Sequence, residues 1–163
     1  MAHSSETPHY FRLISPDHNL QAFRCEREYL TNYLHNDALE STRCNRSRTF
    51  LCLISDIAPE FVVGYFTLRA ASFSIGVREV LPVAEIVCLA RHEDRYGEDW
   101  GNVLLSEALA KISQAGRLIG LVGVQLEATE QGRELYTEFG FRDHPVLGGH
   151  WMYLSLHQIP EME

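Results

Sequence analysis

A chain of 163 residues, 45% of them hydrophobic, is long enough to fold as one domain burying about two thirds of its unfolded surface. Its net charge of −8 argues against general attraction to nucleic acid or anionic membrane, since phosphate contacts need a cationic surface. The longest apolar runs, near Phe61 to Leu68 and Leu118 to Val124, are too short to span a bilayer. Four cysteines (Cys25, Cys44, Cys52, Cys88) form no C-x-x-C pair and follow no secretory leader. The expectation is therefore reduced thiols in a soluble, cytoplasmic protein that needs no disulfide or metal for stability.

In chain order, residues 1–9 read as a loose polar tail and Tyr10 to Ser15 as a first strand ended by Pro16. Cys25 to Glu40 sets Tyr29, Leu30, Tyr33, Leu34 and Ala38 on one helical face, the pattern of a helix lying on a sheet. Arg43, Arg46 and Arg48 lie in a stretch without acids, residues 41–55, which is either a small basic rim or a solvated loop. Two β-rich runs, RTFLCLISD from Arg48 and EFVVGYFTLRAASFSI from Glu60, flank a turn around Ala58 and Pro59 and predict an antiparallel hairpin. Residues 76–83, with Pro82, read as a connection.

The stretch from Glu85 to Leu109 is the centre of the chain. It predicts a buried strand (Glu85 to His92), a polar turn with Gly97 and Gly101, and a helix whose Leu104, Leu105, Ala108, Leu109 and Ile112 recur at three- and four-residue spacing. A helix that starts in such a turn aims unpaired N–H groups and the positive end of its dipole at one point, a natural phosphate seat. An ordinary strand–turn–helix crossover would look the same. Gly116 to Gly120 then break the helix, Gly120 to Ala128 forms a strand, and a helix from about Thr129 to Glu138 is closed by Gly140. Two short strands around Gly148 and Gly149 complete the order β-α-β-β-β-α-β-α-β-β, a mixed α/β layer sandwich in one piece.

Three segments carry a resemblance that periodicity does not supply: Phe23 to Ala38 with Arg48 to Phe50 and Val62 to Leu68; Cys88 to Leu105; and Glu134 to Phe141. In these the chain resembles the GNAT-family N-acetyltransferases, and more narrowly the GNAT toxins of bacterial toxin–antitoxin pairs. The resemblance implies a single GNAT-like domain, a mixed central sheet flanked by helices, that uses acetyl-CoA as co-substrate. It implies that Leu89, Ala90 and Arg91 pair with the pantetheine arm, and that the turn Tyr96, Gly97, Glu98, Asp99, Trp100, Gly101, Asn102 holds the pyrophosphate. The family's turn reads Gln or Arg, two residues, Gly, one residue, Gly or Ala. Here YGEDWG has Tyr96 at the first place, Asp99 in place of the middle glycine, and Gly101 retained. Glu98 and Asp99 thus set carboxylates beside the expected pyrophosphate; either they point outward or they weaken CoA binding. Asp99 can instead cap the helix, and Trp100 can serve packing rather than the ligand.

By the same resemblance Tyr136, ahead of a Phe-Gly-Phe turn, protonates the departing CoA thiolate; the alternative is a half-buried helix tyrosine with its hydroxyl in solvent. No general base is dictated: Glu85, Glu127 and His92 are within reach in principle, surface or structural roles are the alternative for each, and water can serve. Cys88 reads as a buried apolar residue and the eight histidines show no metal spacing, so no metal is expected. The acceptor is expected to be a primary amine of a tRNA, a protein or a small molecule. The toxin resemblance implies the amino group of aminoacyl-tRNA, an antitoxin partner and a homodimer, with no membrane role. The competing expectation is a degenerate module that binds acyl-CoA or a partner without turnover.

Overall fold

The computed structural model describes residues 7–54 and 60–158. The elements are β1 (Tyr10–Leu13), α1 (Glu28–Asn36), α2 (Ala38–Arg43), β2 (Arg48–Ile54), β3 (Phe61–Ile75), β4 (Glu79–Arg91), α3 (Trp100–Ile119), β5 (Gly123–Glu127), α4 (Glu130–Glu138), β6 (Arg142–Asp143) and β7 (Trp151–Ser155). Among the described residues the strands form one mixed sheet in the order β1-β2-β3-β4-β5-β7-β6. The predicted succession of elements is the one observed except that the first predicted helix is two, α1 and α2. The hairpin turn expected around Ala58 and Pro59 lies outside the described residues, as do residues 1–6 of the expected tail.

The chain divides into two compact units, Met1–Leu68 with Cys88–Leu105, and Arg69–Val87 with Ser106–Glu163. In the first, β1, β2 and β3 pair antiparallel, with Tyr10 opposite Leu53 and Arg48 opposite Leu68. One apolar cluster joins α1 and α2 to these strands through Phe23, Leu30, Leu34, Leu51, Val62 and Tyr65. Tyr65 ties the layers by donating its hydroxyl to the Leu30 carbonyl at 2.6 Å, and burial pushes its phenol pKa up. The start of α3 packs where Gly64 has no side chain: a Cβ there would lie 2.8 Å from the Ala90 carbonyl oxygen and 2.8 Å from Leu104 Cδ1. Only a missing side chain permits that approach.

In the second unit β4 and β5 run parallel, with Val83, Ala84 and Glu85 opposite Gly123, Val124 and Gln125, and β7 pairs antiparallel with β5 and β6. Close packing again uses glycines. A Cβ on Gly123 would sit 2.3 Å from the Tyr153 hydroxyl, and one on Gly116 would sit 2.3 Å from Leu156 Cδ2.

Several expectations require correction. The helix read as Cys25 to Glu40 is two helices, because Asp37 departs from helical geometry at φ −123° and restarts the chain as α2. Tyr29 lies on the solvent face of α1, 61% exposed, while Thr31 is buried in its place and its hydroxyl accepts the Cys25 N–H at 3.0 Å. Residues 76–83 are not a connection: Gly76, at φ 65°, turns the chain and β4 begins at Glu79, its proline tolerated within the strand. The end of the tail is not loose, since the His9 ring packs edge-on to Trp100 at 5.4 Å. Gly116 does not break α3, which runs on to Ile119 and ends at Gly120 with φ 75°.

Candidate active site

The first unit holds the expected cofactor residues. The registered β4–β5 ladder ends at the pair Glu85 and Gln125, yet β4 continues to Arg91. On its other side the chain stays anchored, for the His92 N–H donates to the Val63 carbonyl at 2.8 Å. Leu89 and Arg91 are partly exposed and Ala90 is buried. Arg91 is held by Glu26 at 3.0 Å and lies over the Tyr96 ring, 4.5 Å from its centroid. Partial burial would raise the Glu26 pKa, but a backbone hydrogen bond and Arg91 outweigh it and hold the carboxyl below its ordinary range.

The turn differs in detail from the sequence expectation. Glu93–Arg95 forms a short 3-10 segment, Gly97 takes the left-handed conformation at φ 85°, and α3 begins at Trp100, so Trp100, Gly101 and Asn102 are helical rather than part of the turn. The first N–H to reach back is that of Val103, to the Asp99 carbonyl at 3.3 Å, which leaves the amides of Gly101 and Asn102 ahead of it. No acid lies in the first turn of α3.

Both questioned carboxylates have protein partners. Glu98 accepts the Trp100 indole N–H at 2.9 Å and has Arg95 at 3.7 Å. Asp99 immediately precedes α3, and its carboxylate accepts from the Asn102 side-chain amide rather than from the helix backbone. Trp100 is fully buried, so its ring belongs to packing.

His92 is not placed as a base. It is buried; Nδ1 accepts the Asp94 N–H at 3.1 Å, which leaves Nε2 to donate to the Ala22 carbonyl at 3.1 Å. Cys88 is buried, and all four cysteines are free thiols. Arg43 and Arg46 are exposed around the left-handed Asn45, and Arg48 donates to the Thr42 carbonyl at 3.0 Å.

The second unit holds Tyr136. Thr129 caps α4 by accepting the Gly132 N–H at 3.0 Å, and the Tyr136 ring packs edge-on to Phe141 at 5.7 Å. The Tyr136 carbonyl accepts the N–H groups of Phe139 and Phe141 at 3.1 and 3.0 Å, locking the helix end. Gly132 leaves room for the ring: a Cβ there would be 3.1 Å from Tyr136 Cε2.

The same unit contains a relay that sequence reasoning missed in all but one member. Glu85, buried on the last paired rung of β4, meets Arg69 Nη2 through Oε2 at 2.7 Å and accepts Gln125 Nε2 through Oε1 at 2.9 Å. Gln125 Oε1 lies 3.1 Å from His144 Nε2, while His144 Nδ1 accepts the N–H groups of Val146 and Leu147 at 3.1 and 3.0 Å. With Nδ1 accepting, the imidazole is neutral with its proton on Nε2, and each hydrogen bond of the relay then joins one donor to one acceptor. Burial lowers the His144 pKa. The signal for this relay is Gln125, a polar residue inside an otherwise apolar strand. Glu127, the other acid considered as a base, is exposed at the end of β5.

Among the described residues no cluster of three or more His, Cys, Asp or Glu is arranged to hold a metal ion, and no helix is long and apolar enough to cross a membrane.

No family model matches this chain. Its fold is nevertheless that of solved toxin structures. A tyrosine-to-phenylalanine variant of the toxin AtaT, bound to the C-terminus of the antitoxin AtaR and acetyl-CoA, superposes with a TM-score of 0.81 at 21% identity, over 91% of this chain and 94% of that one. A tyrosine-to-phenylalanine variant of KacT gives 0.82 at 17% identity, over 91% and 95%. AtaT complexed with acetyl-methionyl-tRNAfMet gives 0.83 at 20% identity, over 92% and 96%. At these identities the likeness is one of fold.

Proposed function

We propose that this chain is a GNAT-type N-acetyltransferase that moves an acetyl group from acetyl-CoA to a primary amine, and that the amine is that of an aminoacyl-tRNA. The observation that carries the reading is the early end of the β4–β5 ladder. Beyond Glu85, the last residue registered with β5, β4 continues for six residues and then leads through a glycine turn into the N-terminus of a long helix. A strand that runs past the end of its ladder suits the peptide-like pantetheine arm, and helix-start amides suit the pyrophosphate. Fold likeness to proteins seen with acetyl-CoA and with acetyl-methionyl-tRNAfMet supports the same direction.

In this reading Leu89, Ala90 and Arg91 align the thioester through backbone groups, and the segment from Tyr96 to Asn102 receives the pyrophosphate. The neutral amine attacks the acetyl carbonyl carbon; a backbone N–H near Leu89 stabilises the developing oxyanion. Collapse breaks the carbon–sulfur bond, the Tyr136 hydroxyl gives its proton to the sulfur, and water takes the proton from the new amide nitrogen. Glu85 does not serve as the base in this reading, since each of its oxygens already has a donor. An antitoxin that covers the site would complete the parallel with AtaT and AtaR.

The second reading, a module that binds without turnover, rests on Asp99. Against it, Glu98 and Asp99 are both engaged by neighbouring donors. Release of CoA thiol on a panel of amines and aminoacyl-tRNAs separates the two: binding without release on any acceptor defeats the transferase reading. Expression in bacteria should arrest growth, and Tyr136→Phe should relieve the arrest.

A further inference from the structure

Arg69 stands apart from the other arginines of this chain. It projects from β3 with its side chain 48% exposed, yet its guanidinium is tethered at one nitrogen to a carboxylate that is only 8% exposed. Glu85 cannot drift, because Gln125 holds its other oxygen, and Gln125 is oriented in turn by a buried histidine whose tautomer is set by two backbone amides. Three side chains therefore fix the position of one guanidinium. Among the described residues its recorded protein acceptor is that one carboxylate oxygen, met through Nη2, and about half of the side chain stays open to solvent.

A guanidinium held in this way is preorganised for an oxyanion, because its planar fork matches phosphate geometry and little side-chain entropy remains to be lost. The need for such a residue follows from the charge of the chain. At −8 it has no general field to draw in a polyanion, so a phosphate-bearing acceptor must be met by individually placed cations. We propose that Arg69, braced by the Glu85–Gln125–His144 relay, is a binding residue for the acceptor and takes a phosphodiester of the tRNA. The assignment rests on the aminoacyl-tRNA reading above and adds to it a specific contact. Glu85 is then a positioning residue, and its carboxylate serves the arginine rather than the amine.

The test uses the purified full chain with Arg69→Lys and Arg69→Gln, each checked for folding by thermal unfolding. Lysine retains a cation beside Glu85 but not the fork, so it keeps the test open if the glutamine variant does not fold. Initial rates are measured against aminoacyl-tRNA and, separately, against acetyl-CoA. Arg69→Lys should raise KM for aminoacyl-tRNA about tenfold, the range for losing a bidentate contact, with kcat and the KM for acetyl-CoA unchanged. Arg69→Gln should also reduce the slope of log affinity for tRNA against log salt by about one. Wild-type values in both variants would overturn the assignment while leaving the function intact. A raised KM for acetyl-CoA alone would move the phosphate to the cofactor and overturn it equally. A wild-type chain that acetylates small amines but neither binds nor modifies tRNA would overturn the acceptor reading and this inference together.

Discussion

Tyr136 and His144 show how a single side chain takes its properties from backbone groups around it. The Tyr136 ring is confined by Phe141 and by the empty space over Gly132. Removing its hydroxyl in Tyr136→Phe should lower kcat by about a hundredfold or more, the usual worth of a positioned general acid, and leave acetyl-CoA binding by calorimetry unchanged. Gly132→Ala offers an independent check, for its methyl would press on the ring and should lower kcat while the chain stays folded. His144 makes a prediction about pH. Its folded-state pKa lies below that of the unfolded chain, so the unfolded chain binds the proton more readily. The stability it contributes is present above about pH 6.5, the ordinary imidazole value, and is lost as pH falls through the lowered folded value. Melting temperature should therefore fall on acidification from pH 7, and His144→Gln should flatten that part of the profile. Identical profiles would show that the relay does not depend on a neutral imidazole.

At the scale of elements, β4 and α3 hold the interest, and both were partly legible. The period of Leu104, Leu105, Ala108, Leu109 and Ile112 identifies α3, and all five are buried. The lower limit of β4 was not legible, since Pro82 and the exposed Val80 suppress the strand signal that pairing restores. The turn between them was legible in type but not in detail: Glu98 and Asp99 read as a conflict with an anion until the Trp100, Arg95 and Asn102 side chains are placed against them. Asp99→Asn removes one negative charge at the helix start, and it should tighten acetyl-CoA severalfold at low salt, an effect that salt erodes. No change at any salt concentration would place Asp99 away from the ligand. Gly64→Ala should be the costly glycine change: its Cβ has no room between the Ala90 carbonyl and Leu104, so the fold should lose about 1–3 kcal/mol by thermal or urea unfolding.

For the whole molecule, binding and stability are linked. If acetyl-CoA binds the folded chain, a concentration one hundred times its dissociation constant should stabilise that chain by about 2.7 kcal/mol, a rise in melting temperature of roughly 5–10 °C. Free CoA and acetyl-CoA compared in this way, with and without an amine, would also separate a binding module from a transferase. The absence of any shift with acetyl-CoA would remove the transferase and the acyl-CoA-binding module, and leave a module that binds a partner alone.

The residues alone determined the succession of strands and helices apart from the break between α1 and α2, the glycine-bearing passage from strand to helix, and the resemblance that directs attention to Tyr136. These are local properties: hydrophobic period, turn residues and short motifs are written within a few positions of one another. Only the tertiary structure decided that β4 outruns its pairing with β5, that Trp100 and His92 are committed to packing and backbone, and that Arg69, Glu85, Gln125 and His144 form one relay. Those four residues come from four separate places in the chain, and a hydrogen bond between side chains so distant in sequence leaves no periodic trace. It exists because adjacent strands bring their side chains to one face of a sheet, and because a buried carboxylate must find donors there.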